Sequence, residues 1–283
     1  VGGPGILEMG RAVKLYTAHE HWLVCPMHIL FKFNRRVCDR KNCLFCSLVH
    51  RRPPQFWRYT GMLEEAAGHI DCFISPSLFS IRKHHELGFA FPIVHIPHFS
   101  VPGGSPLEFS VEHHSLGDPY FLFVGRLEKL KGLQTVIPLF LEYPGARLVI
   151  AGKGRYEARL RQMAGGSPDI VFLGFKSGAE LAGLYRGAVA LIVPSECYDV
   201  YPQVVMESMQ NGTPVIARNI GGLSEAIDSS GGGLVYETPE ELRSLIGRLL
   251  EDRPLRNRLA SNARINSAFL WSAETHMARY LQL

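Results

Sequence analysis

No stretch of about eighteen uncharged apolar residues occurs in the sequence, which excludes a helix long enough to cross a bilayer. The opening "VGGPGILEMG" has neither the basic start nor the apolar core of a secretion signal. Internal repeats and low-complexity tracts are missing as well, which excludes a repeat array. Neither sign of charge dominates, since the net charge is only +4, and one region alone is locally basic: residues 31 to 54, with "FKFNRR", "DRKN" and "HRRPP". That region suits an anionic ligand, a membrane surface or nucleic acid, and equally a solvated face. A cytoplasmic protein is expected, held if at all peripherally at the inner face of the membrane. The chain opens on Val1 without an initiator Met and is expected to be a fragment or a processed product.

What is present points to a large α/β protein. With 283 residues, 46% of them apolar and 20% charged, two domains with substantial cores are expected. From about Tyr120 onward, "YFLFVG", "ARLVIAG", "IVFLG", "VALIVPS", "TPVIA" and "GGLVY" read as six strands. Segments with helical spacing separate them, among them "LQTVIPLFLEY", "YEARLRQMA", "AELAGLYRGA", "YPQVVMESMQN" and "GLSEAIDS". This alternation predicts a doubly wound parallel sheet, whose ligands bind in loops at the carboxyl ends of the strands. In the first hundred residues, "VKLYTA", "DCFISPS" and "PIVHIPH" read as strands, with "FWRYTGMLEEAAGH" and "LFSIRKHHELG" as helices. These resemble the last part of a second such domain. The predicted division is 1–104, 105–270 and a last helix over 271–283 that packs back on the N-terminal part, with "HFSVPGGSPLEF" as hinge.

The strand exits carry the candidate chemistry. "FVGRLEKLKG" ends a strand at Gly125 and places Arg126 and Lys131 before a helix near Gly132. Two cations beside a helix N-terminus suit a diphosphate, although both are equally explained as ordinary loop residues. In "VIAGKG", Gly152 and Gly154 allow a close approach, and Gly174 ends "IVFLG", where its backbone could face a planar base or form a tight turn. "SECYDVYPQVVMESMQNGTPVIA" is more specific. Pro202 suits a first helical residue, the amides of Gln203 and Val204 are placed to receive a diphosphate, and Asp199 is placed to reach hydroxyls. Glu207 lies further along the helix. A plain N-cap for Asp199 and a surface position for Glu207 are the simpler alternatives.

The string "PSECYDVYPQVVMESMQNGTPVIARNIGGLSEAI", preceded in order by "FVGRLEKLKG", "LVIAGKG", "VFLGF" and "LAGLYRGAVALIVPS", resembles the C-terminal domain of glycosyltransferase family four. The resemblance covers nearly all of 118 to 283, and "TAHEHWLVCP" resembles the family's N-domain "HD" segment. It implies the GT-B fold, two Rossmann-like domains, and transfer with retention from a nucleotide-diphosphate sugar, without a metal or other cofactor. It implies that Asp199 contacts the donor sugar, that Glu207 binds the ribose and that Arg126 and Lys131 bind phosphate. By the same resemblance His19 lies near the transferred sugar, and Gly221, Gly222 and Glu225 belong to a loop near the donor. The implied acceptor is a glycan, a lipid-linked or a small molecule, as in bacterial cell-envelope polysaccharide synthesis, and nucleic acid is not an expected partner. Asp199 stands where the family usually has Glu, one methylene shorter. The family's first N-domain units are absent before Val1, so an incomplete enzyme or a non-catalytic sugar-nucleotide binder is the alternative expectation.

Four of the six cysteines fall together: Cys25, Cys38 and the "CLFC" pair Cys43 and Cys46. Four thiols in a basic setting could hold a structural zinc ion, with free thiols or disulfides as rivals. A zinc-dependent nucleic-acid module built on this segment would leave the whole C-terminal half unexplained.

Overall fold

The computed structural model describes residues 3–100, 119–143 and 145–283. The predicted boundary at 104/105 and most of the predicted hinge lie outside these residues. The N-terminal part holds strand β1 (Leu15–Thr17), a short antiparallel hairpin β2 (Phe31–Lys32) and β3 (Arg36–Val37), helices α1 (Cys43–Val49) and α2 (Met62–Ala67), strand β4 (Cys72–Ser75), helix α3 (Leu78–Glu86) and strand β5 (Ile93–His95). Strands β1, β4 and β5 pair in parallel in the order β1-β4-β5. The hairpin and α1 form an excursion between β1 and β4 that periodicity alone did not reveal. The single helix expected over 56–69 is divided into a 3-10 turn, Phe56–Tyr59, and α2. Gly61 at φ 79 separates the two, since a left-handed residue cannot continue a right-handed helix.

The second sheet is six-stranded and wholly parallel. It contains β6 (Tyr120–Val124), β7 (Arg147–Ala151), β8 (Ile170–Gly174), β9 (Leu191–Val193), β10 (Val215–Arg218) and β11 (Gly233–Tyr236), ordered β11-β10-β9-β6-β7-β8. Its crossovers are α4 (Leu133–Leu141), α5 (Glu157–Ala164), α6 (Gly178–Gly187), α7 (Gln203–Gln210) and α8 (Gly222–Ser230); α9 (Pro239–Glu251), α10 (Arg253–Leu270) and α11 (Ala273–Tyr280) follow. Strand side chains alternate between faces, and both faces are covered. Phe121, Phe123, Leu148, Ile150, Ile192 and Ile216 pack with α4, α5, α9 and the start of α10. Tyr120, Leu122, Val149, Ala151, Leu191, Val193, Val215 and Ala217 pack with α6, α7, α8 and Trp271. Two-sided burial explains why the strands read as continuous apolar runs.

The exits of neighbouring strands are locked together. The Glu196 amide donates to the Leu130 carbonyl at 2.8 Å and the Leu127 amide to the Lys153 carbonyl at 3.0 Å. Gly132, at φ 81, is where this packing is tightest: a Cβ there would lie 1.8 Å from the Pro194 carbonyl oxygen. Gly132→Ala is therefore expected to lower stability by about 2–4 kcal/mol, from left-handed strain plus overpacking. Gly5→Ala, with nothing within 4 Å, is expected to stay within about 0.5 kcal/mol of the parent in thermal and urea melts.

Candidate functional site

Strand β6 pairs with β7 on one edge and β9 on the other, so the connections leave its two sides in opposite senses. A crevice opens at the carboxyl ends of the strands at such a reversal. The cleft there has a volume of about 320 Å³ and is lined by His19, His98, Gly125, Lys131, Ser195, Asp199, Tyr201, Pro202, Gln203 and Val204, with Phe123, Val124 and Val193 as its apolar wall. His19 and His98 come from the N-terminal part; the rest leave β6 and β9.

Lys131 Nζ donates to Asp199 Oδ1 at 2.7 Å, joining the β6 exit to the β9 exit, with both side chains about one-fifth exposed. Burial opposes the Lys131 charge, the Asp199 carboxylate, through its charge and hydrogen bond, and Cys197 together outweigh it, and the pKa stands above the ordinary value. Burial, together with the same carboxylate, pushes the neighbouring Cys197 thiol up to about 12. The cleft thus holds a fixed cation whose counter-charge is its own neighbour.

Helix α7 begins at Gln203, with Pro202 as extended N-cap at φ −83 and ψ 106 rather than as the first helical residue. Proline sacrifices no amide there, and the exposed N–H groups of the first turn carry partial positive charge. Glu207, one turn on, is not part of the cleft lining. Its Oε2 accepts a hydrogen bond from the Tyr185 hydroxyl of α6 at 3.0 Å. Burial raises the Glu207 pKa and the Tyr185 bond partly offsets this.

His19 Nδ1 lies 2.9 Å from His98 Nε2, and the two rings stack with centroids 4.6 Å apart. The His98 ring meets Tyr201 edge-on at 6.1 Å, and Trp271 Nε1 donates to the Tyr201 hydroxyl. His276 of α11 lies 2.7 Å from the Pro97 carbonyl oxygen, so the chain's last helix touches the segment that carries His98. In the sequence His98 stood only where the strand "PIVHIPH" meets the expected hinge. Nothing local marks it, because its partner is 79 positions away.

Other expected residues lie elsewhere. Arg126 is 71% exposed, pairs with Glu128 at 3.2 Å and does not line the cleft. Gly174, at φ 70, lies outside the cleft and makes the turn that ends β8, its carbonyl accepting from the Gly152 amide at 2.7 Å. A Cβ on Gly152 or Gly154 would meet the carbonyl oxygens of Gly125 or Leu127 at 1.9 and 2.2 Å, so these glycines serve contact between loops. The Gly222 amide donates to the Asp199 carbonyl at 2.9 Å. Glu225 instead receives the Leu78 and Phe79 amides at 2.9 Å each, closing the start of α3 across the two halves. With Gly221 it lines a separate groove of about 1080 Å³.

Cys25, Cys38, Cys43 and Cys46 do gather around one small cavity of about 10 Å³, and all are free thiols. Among the described residues, however, no three or more His, Cys, Asp or Glu side chains stand as they would around a metal ion. Burial pushes the Cys25 and Cys43 thiols up and that of Cys38 to about 11. The four thiols expected to hold zinc thus stand together as a compact cluster.

The family model for glycosyl transferases group 1 matches residues 106–266. An uncharacterized glycosyltransferase of Methanocaldococcus jannaschii is 37% identical over 151 residues, half of this chain and 38% of that protein. The chain thus spans well under half the length of that relative. Sucrose-phosphate synthase from Thermosynechococcus elongatus superposes with a TM-score of 0.76 at 21% identity, over 98% of this chain and 68% of its own. Anabaena HepE in complex with UDP superposes with a TM-score of 0.75 at 19% identity, over 96% of this chain and 72% of its own. Both structures share the GT-B architecture, and at such identities the likeness speaks for the fold.

Removing the carboxylate beside Lys131 leaves a mostly buried cation alone. Asp199→Asn is expected to cost about 2 kcal/mol or more in urea unfolding, and Lys131→Met with Asp199→Asn to cost less than the sum of the single changes. Strict additivity would contradict the pairing. Burial, aided by His19 and His276, pulls His98 from 6.5 down to about 4. A base depressed in the folded state withholds a proton that the unfolded chain takes up, so its stability contribution is intact above 6.5 and is lost as pH falls toward about 4. His98→Gln should flatten the stability-pH slope in that window, leaving slope of the same sign from His21, whose pKa burial lowers to about 3, and from His84 and His95, which burial also depresses.

Proposed function

Because the chain belongs to the group 1 glycosyl transferases, we propose that it moves a sugar from a nucleotide-diphosphate sugar to an acceptor hydroxyl, with retention and without a metal at the leaving group. The observation that carries this reading is one cleft in which Lys131 and the N-terminal amides of α7 face His19 of the other half. Negative charge that develops on a departing diphosphate would meet Lys131 and the helix terminus, fixed in advance by their packing. The bond from the anomeric carbon to the diphosphate oxygen breaks, and the acceptor oxygen bonds to that carbon on the same face. The acceptor proton passes to the departing phosphate oxygen. His19, with Nδ1 engaged by His98, would contact the sugar through Nε2.

HepE of the same fold is described with UDP and with UDP-glucose, which makes UDP the first nucleotide to test. A trehalose-6-phosphate synthase of similar fold, with a TM-score of 0.65, is described in terms of transfer with retention. Glu207 is read as the ribose ligand, released from Tyr185 or shared with it. The acceptor is a glycan, a lipid-linked or a small-molecule hydroxyl. One observation favours a second reading, a binder without transfer: Asp199, already a methylene short, has Oδ1 held by Lys131.

Calorimetric titration with UDP, followed by assay of UDP-glucose for glucose release or transfer, tests both readings. Binding together with turnover supports the transferase, and binding without turnover the binder. Absence of UDP and other nucleotide-diphosphate binding removes both. Glu207→Ala is expected to weaken UDP binding roughly 10- to 100-fold through loss of a charged hydrogen-bond acceptor.

A further inference from the structure

Between residues 31 and 62 the chain carries eight Lys and Arg against a single Asp, although the whole protein is only +4, so the remainder is net acidic. Asp39 is itself engaged with Lys32 at 3.4 Å. Arg35, Arg36, Arg40, Lys41, Arg51 and Arg52 are all exposed. Within this basic excursion the surface is unexpectedly apolar. Helix α1 turns Cys46 and Ser47 inward, while the i,i+4 pairs Leu44/Leu48 and Phe45/Val49 point outward. Phe45, Leu48 and Val49 are 59%, 55% and 54% exposed.

The cations and the apolar stripe form one surface. Phe45 borders two grooves. One, of about 600 Å³, is shared by Phe33, Val49, Arg35 and Asn42. The other, of about 350 Å³, is shared by Leu44, Tyr59 and Lys41, with Glu64 as its one acid. Arg51 and Arg52 follow α1 directly, their amides donating to the Leu48 and Ser47 carbonyls. Arg58 also lines the second groove, but its guanidinium is held there, 4.4 Å over the Trp57 ring and donating to the Trp22 carbonyl.

We propose that this surface docks on an anionic lipid bilayer, with the arginines and Lys41 on headgroup phosphates and Phe45, Leu48 and Val49 at the acyl boundary. Apolar side chains ringed by cations match the interface of an anionic membrane, where burial and charge attraction add. A second copy of the chain would set like charges against each other. Single-stranded nucleic acid would stack its bases on aromatic rings; Phe33, Phe45 and Tyr59 lie on this surface, but the aliphatic Leu44, Leu48 and Val49 between them offer no stacking face and suit acyl chains. The proposal goes beyond the sugar-transfer reading and does not depend on it.

Flotation of the full chain with phosphatidylcholine vesicles, with and without added phosphatidylglycerol, tests it. Binding is expected only with phosphatidylglycerol and should weaken as salt rises. Arg35→Gln and Arg51→Gln should each lower partitioning about fivefold. Phe45→Ser with Val49→Ser should lower it more, with an unchanged melting temperature because both positions are exposed. The proposal is overturned by failure to float with anionic vesicles, by equal binding to neutral ones, or by wild-type partitioning of the Phe45/Val49 variant. It is equally overturned if single-stranded DNA competes the protein off vesicles and the serine changes leave DNA binding and vesicle binding alike.

Discussion

The central constraint is the position of β6 between β7 and β9 in a parallel sheet. All its neighbours run the same way, so every exit loop of the sheet emerges on one edge, and the loops must pack on one another to bury their backbones. Glycine makes this contact feasible. The Pro194 carbonyl occupies the space of a Gly132 Cβ, and the Gly125 carbonyl that of a Gly152 Cβ. Only with the loops this close does Lys131 of one exit reach Asp199 of the other. The fixed cation of the cleft is thus a consequence of strand order.

The second half of the cleft rests on contacts between the chain's two halves. His98 holds His19 and meets Tyr201, which in turn receives the buried Trp271. At a second contact between the halves, Glu225 caps α3 through two amides, with His95 3.7 Å from the same carboxylate. A carboxylate accepting two N–H groups at a helix start adds to the dipole's attraction. Polar groups from one half therefore complete structures in the other, which fits a site assembled between two Rossmann-like bodies.

Strand positions were legible because both faces of the sheet are buried, which writes apolar runs such as "YFLFVG" directly into the sequence. Lys131, Asp199 and the start of α7 were legible because strand-exit chemistry is local. What depends on tertiary distance was not. His98 has no sequence signal linking it to His19, and Arg126, adjacent to the right loop, turns out toward Glu128. Nor did the sequence show that Glu207 would take a hydrogen bond from Tyr185 of α6. Helix α1 escaped notice because most of its apolar residues face solvent, which breaks the periodicity that helix recognition uses, and the hairpin because its strands are only two residues each.

The placement of the diphosphate decides the matter most directly, and a crystal structure of the chain with UDP would show it. A diphosphate oxygen is expected within hydrogen-bond distance of Lys131 Nζ and the Gln203 amide, with a ribose hydroxyl on Glu207. UDP found instead in the groove lined by Arg82 and Arg218 would contradict the cleft at β6 and β9 as the nucleotide site.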